Sequence, residues 1–233
     1  MAWRLGPGVL LVLLATAAQA QDDCTPDPNW TAETEMRLSV LEEGGRQMLV
    51  AEGVIDAGLP ARLDALLKEH RIGQIWLRSP GGDARAGNAA GRILRQAGVE
   101  TRIPAGWACA GSCAFLFMGG VIRTVEPGAR VIATMFTHTG DREAIRQATG
   151  AGEQATEALL TEIARSSAQL ATEDHDYVMR MGVRRAVLAD IFYAQTAAGE
   201  GGAALRCLTA AELERYNIVN TPAGRSGGGA TPK

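Results

Sequence analysis

Two short stretches hold the residues that could do chemistry. The first is Trp107 to Gly120, WACAGSCAFLFMGG, in which Ser112 sits between small residues where a glycine-bearing turn meets an apolar run. The second is Ser79 to Gly82, SPGG. A serine at the start of a helix lies beside backbone amides that have no carbonyl partner inside the helix. Such a hydroxyl could be a nucleophile next to an oxyanion hole. It could also be the N-cap of a core helix, which is the commoner use of serine at that place. Ala114 to Met118, after it, read as a helix or a buried strand. The Gly81-Gly82 pair lets the backbone turn with its amides exposed, which suits a carbonyl oxygen or an anion. The later residues of a Walker loop or a dinucleotide fingerprint are missing.

A nucleophilic serine needs a base, and the chain has three histidines. His70 falls at the end of a helix. His175 is flanked by Glu173, Asp174 and Asp176 in a helical, solvated context, and His138 lies in the stretch Phe136 to Gly140. None has ligand spacing to the cysteines, so neither a metal nor a cofactor is expected. The four cysteines, Cys24, Cys109, Cys113 and Cys207, allow three connectivities if all pair. One scheme joins Cys24 to Cys207 and Cys109 to Cys113. Because i,i+4 positions of a helix lie about 5–6 Å apart at Cβ, the second pair requires Cys109 to precede the helix.

The elements that must position these groups alternate between strand and helix. Strands are expected at Met36 to Val40 and at Gln47 to Val54, the latter half-buried through Met48, Val50 and Val54. A helix opening at Leu59-Pro60 carries Leu63, Leu66 and Leu67. Ile72 to Arg78 is a buried strand running into SPGG, followed by a helix from Asp83 to Gln96. Further strands are Val99 to Ile103, Val121 to Val125 and Arg130 to Thr134. A long helical pattern from Asp141 to Arg180 breaks around Gly150 to Gly152, and a second helix covers Arg184 to Tyr193. Thr209 with Glu212 makes a capping box, and Ile218-Val219 reads as a final strand. The fold class is α/β, with repeated ββα units.

Residues 1–20 read as a secretory signal peptide: Arg4, the apolar run Val9 to Leu14, and Ala18-Gln19-Ala20 as the cleavage site. Residues 21–35 form an extended arm, 36–221 a single domain, and 222–233 a Gly/Ser-rich disordered tail. The apolar run is too short for a transmembrane segment. The chain carries 23 Lys and Arg against 26 Asp and Glu, a net charge of -3, with no basic stripe, so no nucleic-acid partner is expected. The expected place is periplasmic or secreted.

Taken in order, strand-SPGG-helix, WACAGSCAFLFMGG, RTVEPGARV and LTAAELERYNIV resemble the Clp protease proteolytic subunit and the wider ClpP/crotonase superfamily. The resemblance is nearest to its exported ClpP-like proteins and runs from about Met48 to Val219. It implies a ClpP/crotonase-like spiral of ββα units and a serine peptidase. The nucleophile would be Ser112, and the oxyanion donors the amides of Gly82 or Gly81 and of Cys113. In register the family's histidine falls on Thr134, which cannot act as a base, so His138, four residues on, is the candidate imidazole. Asp190 is the candidate orienting acid, with Asp141 and Asp83 as alternatives. A peptide or protein substrate and a homo-oligomer are implied in the same way. The functions in play are an exported, ATP-independent serine hydrolase, an inactive ClpP-like module that binds peptide or protein, and a crotonase-type acyl-thioester enzyme. Export away from coenzyme A argues against the last.

Overall fold

A computed structural model of the protein describes Cys24 and residues 34–134, 142–194 and 205–221. The stretch expected as a signal peptide, most of the expected N-terminal arm, His138, Asp141 and the expected C-terminal tail lie outside the described residues. Two mixed sheets with flanking helices make up an α/β fold. The larger sheet has the order β1 (Met36–Glu43), β2 (Arg46–Gly53), β3 (Ile72–Arg78), β4 (Glu100–Ile103), β6 (Arg123–Val125). β1 and β2 form an antiparallel hairpin, and the later neighbours are parallel. The smaller sheet has the order β5 (Ala108–Ala110), β7 (Arg130–Ala133), β8 (Arg206–Cys207).

The helices are α1 (Leu59–Glu69), α2 (Ala84–Ala97), α3 (Ser112–Met118), α4 (Arg142–Ala151), α5 (Glu153–Arg180) and α6 (Ala210–Arg215). Proline in the first turn opens α1, and the Asp83 carboxylate caps α2 by accepting from the Ala86 amide at 2.8 Å. Asp83 therefore stands just outside the helix that the sequence reading begins with it. The Thr209–Glu212 capping box of α6 is present in both directions.

One cluster of buried side chains runs from Met36 through Leu49, Leu77, Leu116 and Tyr177 to Ile218. It corrects three sequence expectations. Leu49, Val50 and Ala51 are all buried in β2, because that strand is covered on both faces rather than one. Ile218 and Val219 pack on the core without forming a strand, since both amides donate to Leu213 O of α6 (2.8 and 3.3 Å) and Ile218 O accepts Arg123 Nε. The apolar stripe of α5 is buried only from Leu170 onward, and Leu160 is 60% exposed. Residues Leu188–Phe192 form a single π-helical turn within the predicted second helix.

Of the three connectivities open to the four cysteines, the structure forms Cys24–Cys207 and Cys109–Cys113, the latter with its Cα atoms 5.3 Å apart. Cys109 meets the requirement of preceding the helix by lying in β5. The first cystine fixes Cys24 against β8, beside Ala108, Ala110 and Ile132.

Outside the core, Asp56 ties β1 to α1. Its carboxylate receives Arg62 through both guanidinium nitrogens, at 2.8 and 2.7 Å, and the amides of Met36 and Gly58 at 3.1 and 2.9 Å. The Arg62 hydrogen bonds, chiefly, hold the Asp56 pKa well below the usual carboxylate range. A depressed pKa adds stability above the unfolded value near ~3.9, and this stability is lost as pH falls toward the folded value. Urea midpoints should therefore drop between roughly pH 5 and pH 2. Asp56→Asn is expected to flatten that limb at a cost of about 1 kcal/mol at neutral pH, the pair being partly solvated. An unchanged acid limb in the variant would show that other carboxylates govern it.

Candidate functional site

Ser112 is the first residue of α3, and the cap before it is Gly111, at φ 53° and ψ -122°. That positive φ is one reason for glycine; the other is that a Cβ there would lie 2.7 Å from the Thr134 hydroxyl. The serine is therefore not the cap of its helix, and its hydroxyl is left for other use. Ser112 is 8% exposed, and its Oγ is buried with no hydrogen-bond partner among the described residues. A buried hydroxyl without a partner costs about 1–3 kcal/mol, so its retention needs an explanation beyond packing.

The SPGG turn holds the other side. Ser79 is bonded on both backbone sides to β5, through Ser79 N–H to Ala108 O (3.0 Å) and Ala110 N–H to Ser79 O (2.9 Å). Its side chain accepts the Gly81 amide at 3.0 Å. Of the two glycines proposed as oxyanion donors, Gly81 thus has its amide engaged, and Gly82 borders the cavity in front of Ser112. Gly82 sits at φ 141°, and a Cβ on it would collide with the Ile55 carbonyl oxygen. The Cys113 amide lies in the first turn of α3, and Cys109–Cys113 bonds that turn covalently to β5. From behind, Gly87 of α2 brings the helices so close that a Cβ there would lie 2.8 Å from Ser112 O.

The cavity has a volume of about 260 Å³. Its walls are largely apolar, with Pro80, Phe115, Leu170 and Phe192, and Thr134 borders it too. One carboxylate, Asp174 of α5, also lines it. Asp174 is 6% exposed and accepts Asn88 Nδ2 at 2.7 Å and the Tyr193 hydroxyl at 2.9 Å. Burial pushes its pKa up, and these two hydrogen bonds only partly oppose that. Sequence reasoning placed Asp174 among the solvated acids around His175. The signal that could have singled it out is its spacing: four residues after Leu170 and three before Tyr177, it stands on the buried stripe of α5.

The remaining candidates are dispersed. His175 is exposed, with its Nδ1 at 2.8 Å from Ala171 O, and His70 is the cap residue of α1. The Asp190 carboxylate accepts the Tyr216 hydroxyl at 2.8 Å, is exposed, and does not line the Ser112 cavity. The expectation that Asp190 serves this site thus finds no support in the geometry, because the π-helical turn aims it toward α6. Among the described residues no group of three His, Cys, Asp or Glu could hold a metal ion, and no helix is long and apolar enough to cross a membrane.

Neither a protein-family model nor a curated protein matches the chain. Among solved structures it is similar to a mutant ClpP1 from Listeria monocytogenes, at 15% identity, covering 74% of this chain and 88% of that chain with a TM-score of 0.47.

Proposed function

We propose that the protein is an exported ClpP-like serine hydrolase that acts on peptide bonds without ATP, built on a spiral of ββα units. The observation that carries this reading is the buried, unpartnered Ser112 hydroxyl on the wall of a cavity that also borders the Gly82 turn. Ser112 Oγ attacks the scissile carbonyl and loses its proton to His138, which passes it to the leaving amine. Water then hydrolyses the acyl-enzyme by the reverse sequence of proton transfers. The amides of Gly82 and Cys113 receive the oxyanion. Thr134 lines the cavity, and His138 follows four residues later, a separation that extended chain spans with up to ~14 Å of reach. The periplasmic or secreted location is supported by the leader pattern and by two cystines in a chain with no free cysteine.

A fluorophosphonate probe is expected to label the purified protein at Ser112, and His138→Ala to reduce labelling by roughly a hundredfold or more. Folded wild type that resists the probe would refute the hydrolase reading. Unchanged labelling of the variant would remove His138 from the mechanism.

Thr134 supports a second reading, an inactive ClpP-like module that holds a peptide in the same cavity. It is told apart by peptide binding without labelling.

A further inference from the structure

The Ser112 cavity has one ionisable acid among its described walls, and that acid is short of donors. An ionised carboxylate offers about four lone-pair positions. Asn88 and Tyr193 fill two of those on Asp174, and among the described residues no arginine or lysine is bonded to it. Glu173 beside it is already paired with Arg85. Asn88 adds to the imbalance, since its Oδ1 is also buried without a partner among the described residues. Reversing the amide would set its oxygen against the ionised Asp174 carboxylate, so with the acid ionised the cluster keeps an excess of acceptors in either orientation. The volume also constrains the ligand. At about 260 Å³ the cavity is smaller than the ~300–1,000 Å³ usual for whole small-molecule ligands, and suits one long side chain. Phe115, Leu170 and Phe192 provide an apolar sleeve for a methylene stem, and Asp174 a terminus for its head.

We propose that the cavity beside Ser112 receives a cationic side chain of a peptide, lysine or arginine, and that Asp174 is the residue that selects it. The assignment rests on the hydrolase reading for its place in a reaction, with the selected residue contributing the carbonyl that Ser112 attacks. The cation supplies the two or more donors that Asp174 lacks, and its charge favours the ionised carboxylate that burial opposes. A neutral side chain of the same length fills the sleeve and leaves the acceptors unmet, which is the larger part of the discrimination.

The test separates this assignment from the activity of Ser112. NMR titration of the folded full chain with a short peptide amide containing lysine, and with its norleucine twin, compares the same four-carbon stem with and without its ammonium head. The lysine peptide is expected to bind at least about tenfold more tightly, as a charge-assisted hydrogen bond implies. Asp174→Asn should bring the two peptides to within about twofold of each other, with its circular dichroism unchanged. Equal affinities in wild type, a preference for norleucine, or no binding of either peptide would overturn the proposal, and these comparisons need no variant. A fluorophosphonate without a side chain reports on Ser112 separately. Labelling without lysine preference removes the selectivity alone, and lysine preference without labelling keeps the cavity assignment while removing the hydrolase.

Discussion

Ser112→Ala is expected to abolish fluorophosphonate labelling while leaving the thermal midpoint unchanged or raised. The two halves have one cause. Among the described residues the hydroxyl is buried, unpartnered and outside the cap role, so it contributes no hydrogen bond to them. Its removal relieves a desolvation cost of about 1 kcal/mol or more, worth a rise of roughly 2–4 °C for a domain of this size. Loss of the nucleophile itself should lower any hydrolytic rate by roughly three orders of magnitude or more. A stabilised, unlabelled variant is the pattern of a site held at some expense to the fold. If the midpoint instead falls by several degrees, Ser112 is a structural residue, and the reading of its orphaned hydroxyl is wrong.

The second large effect lies at the opposite end of the same helix. Arg123 is 1% exposed and has no carboxylate partner among the described residues; its guanidinium donates to the carbonyls of Ile218 (2.7 Å), Gly120 (3.1 Å), Met181 (3.2 Å) and Asn217 (2.8 Å). Arg95 joins it on Gly120 O at 2.8 Å and on Met181 O at 3.2 Å, and also takes Met118 O and Gly119 O. The two arginines thus gather the carbonyls that end α3 and those that follow α5, where the negative ends of both helices favour a cation. Burial, with the neighbouring Arg95, presses the Arg123 pKa down to about 10, so the charge persists at neutral pH. Arg123→Met would leave several buried acceptors unmet and is expected to cost about 3–5 kcal/mol, a fall of roughly 10 °C in midpoint. Arg123→Lys should recover only part of this, because one ammonium cannot span four carbonyls in a plane. A variant with methionine within about 1 kcal/mol of wild type in urea unfolding would show that these bonds only replace water.

These two sites also mark where the sequence could and could not be read. SPGG and WACAGSCAFLFMGG declared themselves through residue type, since a turn at positive φ and a close helix contact both require glycine, and the residues that do so are visible as letters. β3 and the two-part helix α4–α5 were legible for the same reason, from an unbroken apolar run and from a glycine break. Arg123 was not, because an arginine in a short strand reads as solvent-facing and its partners are backbone carbonyls, which look alike at every position. Asp174 was missed because three other ionisable residues surround it in sequence, and only the helix turns it inward. Asp190 was chosen by register, and register says nothing of the π-helical turn that directs its carboxylate to Tyr216.

The two cystines carry a consequence for the order in which the chain can fold. Cys24 emerges first from synthesis, and its partner Cys207 last of the four, 183 residues later. Cys109 and Cys113 therefore become available while Cys24 is still unpaired, and a bridge to either would trap the arm against β5 instead of β8. Local closure competes with that error, since Cys109 and Cys113 are only four residues apart. By the logarithmic dependence of closure entropy on loop length, the short bridge is favoured over a roughly twentyfold longer one by about 2–3 kcal/mol. The cystine beside Ser112 thus removes two thiols from the pool early and leaves Cys24 with a single correct partner when β8 arrives.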